Sequence, residues 1–225
     1  MSVTTATSPS LEERLRAVPR PVPLMSRDEL AQLTVRQREI LEELTDLIAD
    51  GFAHLTMADL AAQLGCSLRT LYGIASSRDL LVLVACDSKL WRAGRAARTA
   101  VGPDSGDPLD AIRRYLLAAT RAVSATTPQF VADLATVPRG QAISADHSAY
   151  LVAATKELLD VAVEIGDIEP VDTLVVAHAM AGIANVFVRP DVIDTLPGTP
   201  KEASDDIADI ILRGLTAPAT SSEHS

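Results

Sequence analysis

Apolar side chains return at helical spacing through most of this chain, and the polar residues between them fall where helices begin and end. Beyond Thr34, which with Gln37 has the form of a capping box, Ile40, Leu41, Leu44, Leu47 and Ile48 make one stripe that stops at Gly51. Thr56 opens a second helix, with Asp59 three residues on and Met57, Leu60, Ala61 and Leu64 on one face, and Gly65 ends it. Ser67 caps a third, in which Leu68, Leu71, Tyr72 and Ala75 recur at i, i+3, i+4 and i+7. That spacing predicts a buried face and leaves Arg69, Thr70 and Gly73 outside. Alternating runs bounded by turn residues hardly occur, so the pattern predicts an all-α fold.

Downstream the helices lengthen. Ser76 or Ser77 caps one that runs from Arg78 to about Ala100, and the turn through Gly102 and Pro103 separates it from a helix opened by Asp107 and Pro108. Leu109, Ile112, Leu116, Ala119 and Val123 form that helix's inner stripe, and a shorter helix follows between Pro128 and about Val137. After Pro138, Arg139 and Gly140, a long helix is predicted from Ser144, with Tyr150, Leu151, Ala154, Leu158, Val161 and Ile165 inward and Gly166 at its end. Residues 170–188 are apolar all round, which predicts burial on several sides. Thr199 and Glu202 make another capping box, opening a last helix with Ile207, Ile210, Ile211 and Leu215 on one face.

Two short amphipathic helices joined by a glycine-containing turn, as in residues 56–75, are the sequence form of a helix-turn-helix, whose second helix enters the major groove. The helix from Thr34 is expected to complete a three-helix unit over residues 34–80. Residues 81–216 then read as a helical effector-binding and dimerisation domain, and 217–225 as a disordered tail. Residues 1–33, with Pro19, Pro21 and Pro23, read as a mobile extension carrying a short helix, and Arg14, Arg16 and Arg20 keep open a second reading as an arm that reaches the minor groove.

Composition sharpens this picture in two ways. The chain is 48% hydrophobic but only 3% aromatic, so small aliphatic residues carry the burial, as in closely packed helices. The net charge of −10 is at odds with DNA binding until it is divided: residues 1–33 and 34–100 each sum to zero, and the whole excess lies in residues 101–225. Residues 66–100 hold six basic side chains against two acidic ones, the local field that DNA would meet. Cys66 and Cys86 have neither disulfide-scaffold nor zinc spacing, and no metal or other cofactor is expected. Residues 1–10 lack an apolar signal core, and polar residues interrupt the apolar run 171–188, so a cytoplasmic protein without a membrane span is expected. No paired carboxylates, nucleophile–base set or phosphate-cradling loop occurs at diagnostic spacing, which argues against an enzyme.

In Ile40, Gly51-Phe52, Thr56, Asp59-Leu60-Ala61, Leu64-Gly65, Ser67, Thr70-Leu71-Tyr72 and Ser77-Arg78-Asp79-Leu80-Leu81, the chain resembles the TetR family of bacterial transcriptional regulators. Ala75 stands where that family usually has Phe, and Gly73 where many members carry a larger side chain. The resemblance implies an N-terminal helix-turn-helix DNA-binding domain and a C-terminal domain that binds an effector and dimerises. It further implies a homodimer on a palindromic double-stranded operator, acting as a repressor that an apolar small molecule releases. Arg69 and Thr70 are the candidates for base edges, and Thr56, Ser67, Tyr72 and Arg78 for phosphates.

Val175, Ala179, Gly182, Val186, Ile207, Ile210 and Ile211 are the candidates for the dimer interface, from apolar periodicity and resemblance together. Trp91, Tyr115, Phe130, His147, Tyr150, His178 and Asn185 are the candidates for the pocket wall, His178 having a competing reading as a core residue. Lys89, Arg92, Arg95 and Arg98, at three-residue spacing, read as a solvated face or a partner for the acidic C-terminal part. Gly73 and Ala75 keep open an alternative: a helical small-molecule-binding protein of the same fold whose operator binding is weakened or lost.

Overall fold

Serine and threonine N-caps set most of the helix starts in the computed structural model, which describes residues 10–102, 107–123, 127–187, 189–193 and 195–216. The helices are α1 (Leu11–Ala17), α2 (Arg27–Gln32), α3 (Val35–Leu47), α4 (Met57–Gln63), α5 (Leu68–Tyr72), α6 (Arg78–Val101), α7 (Pro108–Val123), α8 (Pro128–Thr136), α9 (Gly140–Glu164), α10 (Thr173–Phe187), α11 (Pro190–Ile193) and α12 (Pro200–Leu215). Capping boxes at Thr34, Thr56 and Thr199 form as their spacing predicts, each pairing the cap hydroxyl with the third residue of the helix. Among the described residues the only strand-like pairing is an isolated bridge between Ile168 and Thr216, so the fold is all-α.

Buried residues gather in two clusters. The first holds the inner faces of α3, α4 and α5 together with Leu81 to Cys86 of α6, and it draws in Phe130, Leu134, Val137 and Ile143 from α8 and α9. The second lies between α6, α7, α9, α10 and α12, around Ile112, Tyr115, Leu158, Leu159 and Leu212. Helix α6 contributes to both, so it carries the helix-turn-helix unit directly into the larger helical body.

Several elements differ from expectation for identifiable reasons. Helix α9 begins four residues before Ser144, because Arg139 takes a left-handed conformation (φ 68°) and turns the chain at once. Gly140 then fits where a Cβ would stand 2.1 Å from the Leu134 carbonyl oxygen. Ile165 caps the end of α9 and points to solvent instead of inward. Within its own chain, helix α10 is covered on one side: Thr173, Ala177 and Met180 are buried, while Leu174, Val175, His178, Ala179, Gly182 and Val186 are exposed.

The N-terminal extension is also more ordered than its prolines imply. From Ser10 onward it folds back on the body, with Leu15 and Val18 buried and α1 lying on α9. Arg14, largely buried, pairs with Glu157 (3.1 Å) and Glu164 (2.5 Å) and is held on the body, whereas Arg16 makes only a surface pair with Glu12 (2.5 Å) and Arg20 is exposed. Farther along, the Leu24 amide donates to Asp87 Oδ2 of α6 at 2.8 Å before the chain enters α2. The expected C-terminal tail, residues 217–225, lies outside the described residues, as do residues 1–9.

Candidate functional site

The helix-turn-helix presents a polar front built on a small apolar base. Leu60, Ala61, Leu64, Leu71, Ile74 and Ala75 are buried and fix α4 against α5 and α3. The recognition helix is only five residues long, and its predicted inner face is narrower than the spacing implied. Leu68 is 44% exposed and Tyr72 54% exposed, so the Tyr72 ring sits on the surface and not in the core stripe, where Ile74 takes its place. Gly73 follows as the C-cap, outside the helix proper, with the end of the Gln37 side chain of α3 lying against it.

Ser67, Arg69 and Tyr72 are exposed on this front and Thr70 is half-buried beside them. The Arg69 guanidinium has no hydrogen bond or ion pair among the described residues. Ser67 caps the helix, accepting from the Thr70 amide at 3.1 Å, and its hydroxyl lies 2.8 Å from that of Thr70. Thr56 is committed more fully. It accepts from the Asp59 amide and donates its hydroxyl to Asp59 Oδ2 at 2.6 Å, a pairing that, with the bond from its own amide, holds the Asp59 carboxyl below its usual range.

Arg78 does not stand with this set. Its Nε donates to the Leu55 carbonyl at 2.6 Å, its Nη2 to the Phe52 carbonyl, and its Nη1 to Asp79 at 3.1 Å. The guanidinium lies 5.6 Å over the Phe52 ring. With its donors spent on its own chain, Arg78 braces the loop before α4, and the expected phosphate contact is not assigned to it.

The same loop is gripped from the other side by α8, through residues that sequence reasoning missed. Asp133, 4% exposed, accepts from the amides of Phe52 (2.5 Å) and Ala53 (2.7 Å) and from Gln129 Nε2 (2.6 Å). Burial works to raise the Asp133 carboxyl, but the Ala53 and Phe52 amides and Gln129 outweigh it and hold the group below its usual range. Thr127 donates both its amide and its hydroxyl to the Ala49 carbonyl, each at 3.1 Å, and Phe130 packs edge-on against Phe52 with centroids 5.7 Å apart. Gly51 completes the clamp: at φ 111° it takes a conformation that side chains avoid, and a Cβ would lie 2.7 Å from Gln129 Cγ.

The opposite face of α8 lines a cavity of about 740 Å³, within the usual range for small-molecule sites. Phe130, Val131, Leu134 and Ala135 of α8 face Cys86, Leu90, Ala93 and Ala97 of α6, with Leu116 and Ala119 of α7, Met180 and Ala208 closing the far end. Of the expected wall residues, Tyr115, Phe130, His147 and Tyr150 converge here. Arg98 Nη1 donates to the Tyr150 hydroxyl at 2.9 Å, while the Tyr115 hydroxyl has no partner among the described residues and burial pushes its phenol up.

The remaining three do not line it. Trp91 stands behind the wall, its ring edge-on to His147 at 5.9 Å, and His178 is exposed on α10, neither wall nor core. The Asn185 side chain lies outside the described part of the structure. His147 is anchored by Asp87, whose Oδ1 is 2.9 Å from Nε2. The basic stripe on α6 is likewise divided: Lys89 reaches the cavity, Arg92 donates to Thr45 of α3 at 2.8 Å, Arg98 serves Tyr150, and Arg95 is exposed.

An apolar surface remains on the outside of α10 and α12. Val175 is 62% exposed, and Ala179, Gly182, Val186 and Ile210 are exposed with it. Ile207 is half-buried, and Ile211 is half-buried against the second cluster, so it serves the chain's own core. Among the described residues no group of three or more His, Cys, Asp or Glu could hold a metal ion, and no helix is long and apolar enough to cross a membrane.

A helix-turn-helix whose core runs through one long helix into a helical body with a cavity between its helices defines a recognisable class of two-part α-helical proteins. Among solved structures the chain has the fold of TetR-family transcriptional regulators. A TetR-family regulator, PfmR from Thermus thermophilus, is similar at 25% identity over 79% of this chain and 99% of its own, with a TM-score of 0.58. A TetR transcription regulator from Haloarcula marismortui is similar at 18% identity over 81% and 98%, with a TM-score of 0.63. AibR, solved with isovaleryl coenzyme A and operator DNA, is similar at 20% identity over 78% and 97%, with a TM-score of 0.55. No protein-family model matches the chain, and no curated protein matches its sequence.

Proposed function

We propose that this chain is a transcriptional regulator that binds a palindromic operator as a homodimer and releases it when a small molecule occupies the cavity. The observation that carries this reading is α8, which forms one wall of the cavity with Phe130 and Leu134 and grips the loop before α4 with Asp133 and Thr127. A ligand that displaces α8 displaces the helix-turn-helix. The fold shared with regulators, one of them solved with both a ligand and operator DNA, supports the reading.

Arg69 and Thr70 are proposed to read base edges, with Ser67 and Tyr72 on phosphates. Thr56 joins the phosphate contacts if its hydroxyl exchanges Asp59 for a phosphate oxygen. The exposed face of α10 and Ile210 of α12 are proposed to pair with a second copy, setting two recognition helices about 34 Å apart, one turn of DNA. To swing such a dimer from 1:99 to 99:1 between its two states, the effector must favour one by about 5.5 kcal/mol. Gly73, which together with Ala75 motivated the alternative of lost operator binding, is the C-cap of α5 and does not interrupt the helix, and Ala75 is buried beyond it.

A gel-shift titration with the chain's own promoter tests the function. The expected result is salt-sensitive, sequence-specific binding that Arg69→Ala weakens while the fold is kept. Binding that is absent, or indifferent to Arg69, refutes the DNA reading and favours the alternative.

A further inference from the structure

The chain has three lysines, and they are not used alike. Lys156 and Lys201 are each ion-paired one turn along their own helix, with Asp160 at 2.5 Å and with Asp205. Lys89 lines the cavity, half-buried, with no ion pair or hydrogen bond among the described residues. Burial pushes its ammonium down, and Asp46 of α3 opposes this only across space.

The other charges facing the cavity are already matched. Lys201 answers Asp205, and His147 is bonded to Asp87. The rest of the lining is apolar, as at Cys86, Leu90 and Phe130, or polar without charge, as at Gln141, Ser144, Ser148, Tyr150, Thr155 and Ser204. A lone ammonium in a largely apolar cavity is one half of an ion pair whose other half has to come from the ligand. One positive charge matches one negative charge, which selects a monoanion over a phosphate dianion.

On the reading of this cavity as the effector site, we propose that its ligand is a monocarboxylic acid with an extended apolar body. The carboxylate pairs with Lys89 Nζ, and the body lies between α6, α7 and α9 towards Met180. The head group then sits on the part of α6 that faces α3, next to Arg92 and its bond to Thr45.

Calorimetric titration of the full chain with dodecanoic acid and with 1-dodecanol tests this, since the two share a body and differ in the head group. The acid is expected to bind at least about tenfold more tightly, the effect of one charge-assisted hydrogen bond. Lys89→Met keeps the apolar stem, and should erase the preference while leaving dodecanol affinity unchanged; Lys89→Arg should retain it. Equal affinity for both probes in the native chain, or an acid preference that survives Lys89→Met, overturns the head-group assignment alone. If neither probe binds the native chain, the reading of the cavity as a site for apolar effectors falls with it. Circular dichroism of Lys89→Met establishes that the fold is intact, as expected when an unpaired, half-buried charge is removed.

Discussion

Replacing Asp133 by alanine removes the acceptor that ties α8 to the loop before α4, and its consequences can be worked out bond by bond. The carboxylate accepts from Phe52 N at 2.5 Å and from Ala53 N at 2.7 Å, and Phe52 is buried. Hydrogen bonds to a charged acceptor contribute about 1.5–3 kcal/mol each, and a buried amide left without a partner costs about 1–3 kcal/mol. Asp133→Ala should therefore lower the unfolding free energy by about 3–5 kcal/mol, or about 6–20 °C in Tm for a chain of this size. Asp133→Asn keeps one acceptor oxygen but turns an NH₂ towards a donor, and should lose about 1–3 kcal/mol.

Urea denaturation followed by far-UV circular dichroism measures these losses, and the pH dependence gives an independent check. Because the folded carboxyl lies below its ordinary value of 3.8, its stabilisation is fully present above that pH and is lost as pH falls through the folded value. The gap between the native chain and Asp133→Ala should accordingly narrow in acid. An Asp133→Ala variant within about 1 kcal/mol of the native chain at neutral pH would refute the clamp.

Arg78→Ala should destabilise the fold by about 2–4 kcal/mol, because the Phe52 and Leu55 carbonyls lose their donors, whereas Arg69→Ala should leave thermal stability unchanged and weaken only DNA binding. A native chain that tolerates Arg78→Ala in a thermal melt would contradict the bracing role. Cys86, its thiol pushed up to about 12 by burial, should resist alkylation at pH 8 in the folded chain and react only on unfolding, as mass spectrometry can follow. Rapid native-state labelling at Cys86 would contradict its burial. The double variant Val175→Asp, Ile210→Asp should sediment as a monomer with unchanged helicity; a dimer that survives both charges would place the interface elsewhere.

Much of the framework was legible in residue spacing because the signals were local. Thr34–Gln37, Thr56–Asp59 and Thr199–Glu202 each settle a helix start within four residues, and Ile40, Leu44 and Leu60 mark the buried faces of the first two without help from the rest of the chain, whereas the last helix buries Leu212 and leaves Ile210 of its expected face exposed. What spacing missed depended on distant partners. Asp133 reads as one more acid in an acidic half until it meets two amides eighty residues earlier. Arg78 reads as a phosphate ligand from its place at the start of the helix after the recognition helix, and only the folded loop shows its donors spent on Phe52 and Leu55. Tyr72 fits the apolar stripe by number, but the helix stops at Gly73 and the stripe passes to Ile74. The prolines before Ser26 imply a mobile extension, and nothing local announces that Leu15 and Arg14 will dock it on α9.

That docking gives the chain a different topology in space from its order in sequence. Helix α1 comes before the helix-turn-helix but belongs to the same body as α9, and Asp87 fastens the strand that follows it to α6. The recognition unit is thus an insertion: it is entered past Leu24, which is held to Asp87, it is left through α6, and between the two it is gripped by Asp133 and Thr127 of α8. A unit suspended in this way cannot swing like a pendulum on one stem. Any movement of the unit relative to the body has to carry or break the bonds at Leu24, Asp133 and Thr127.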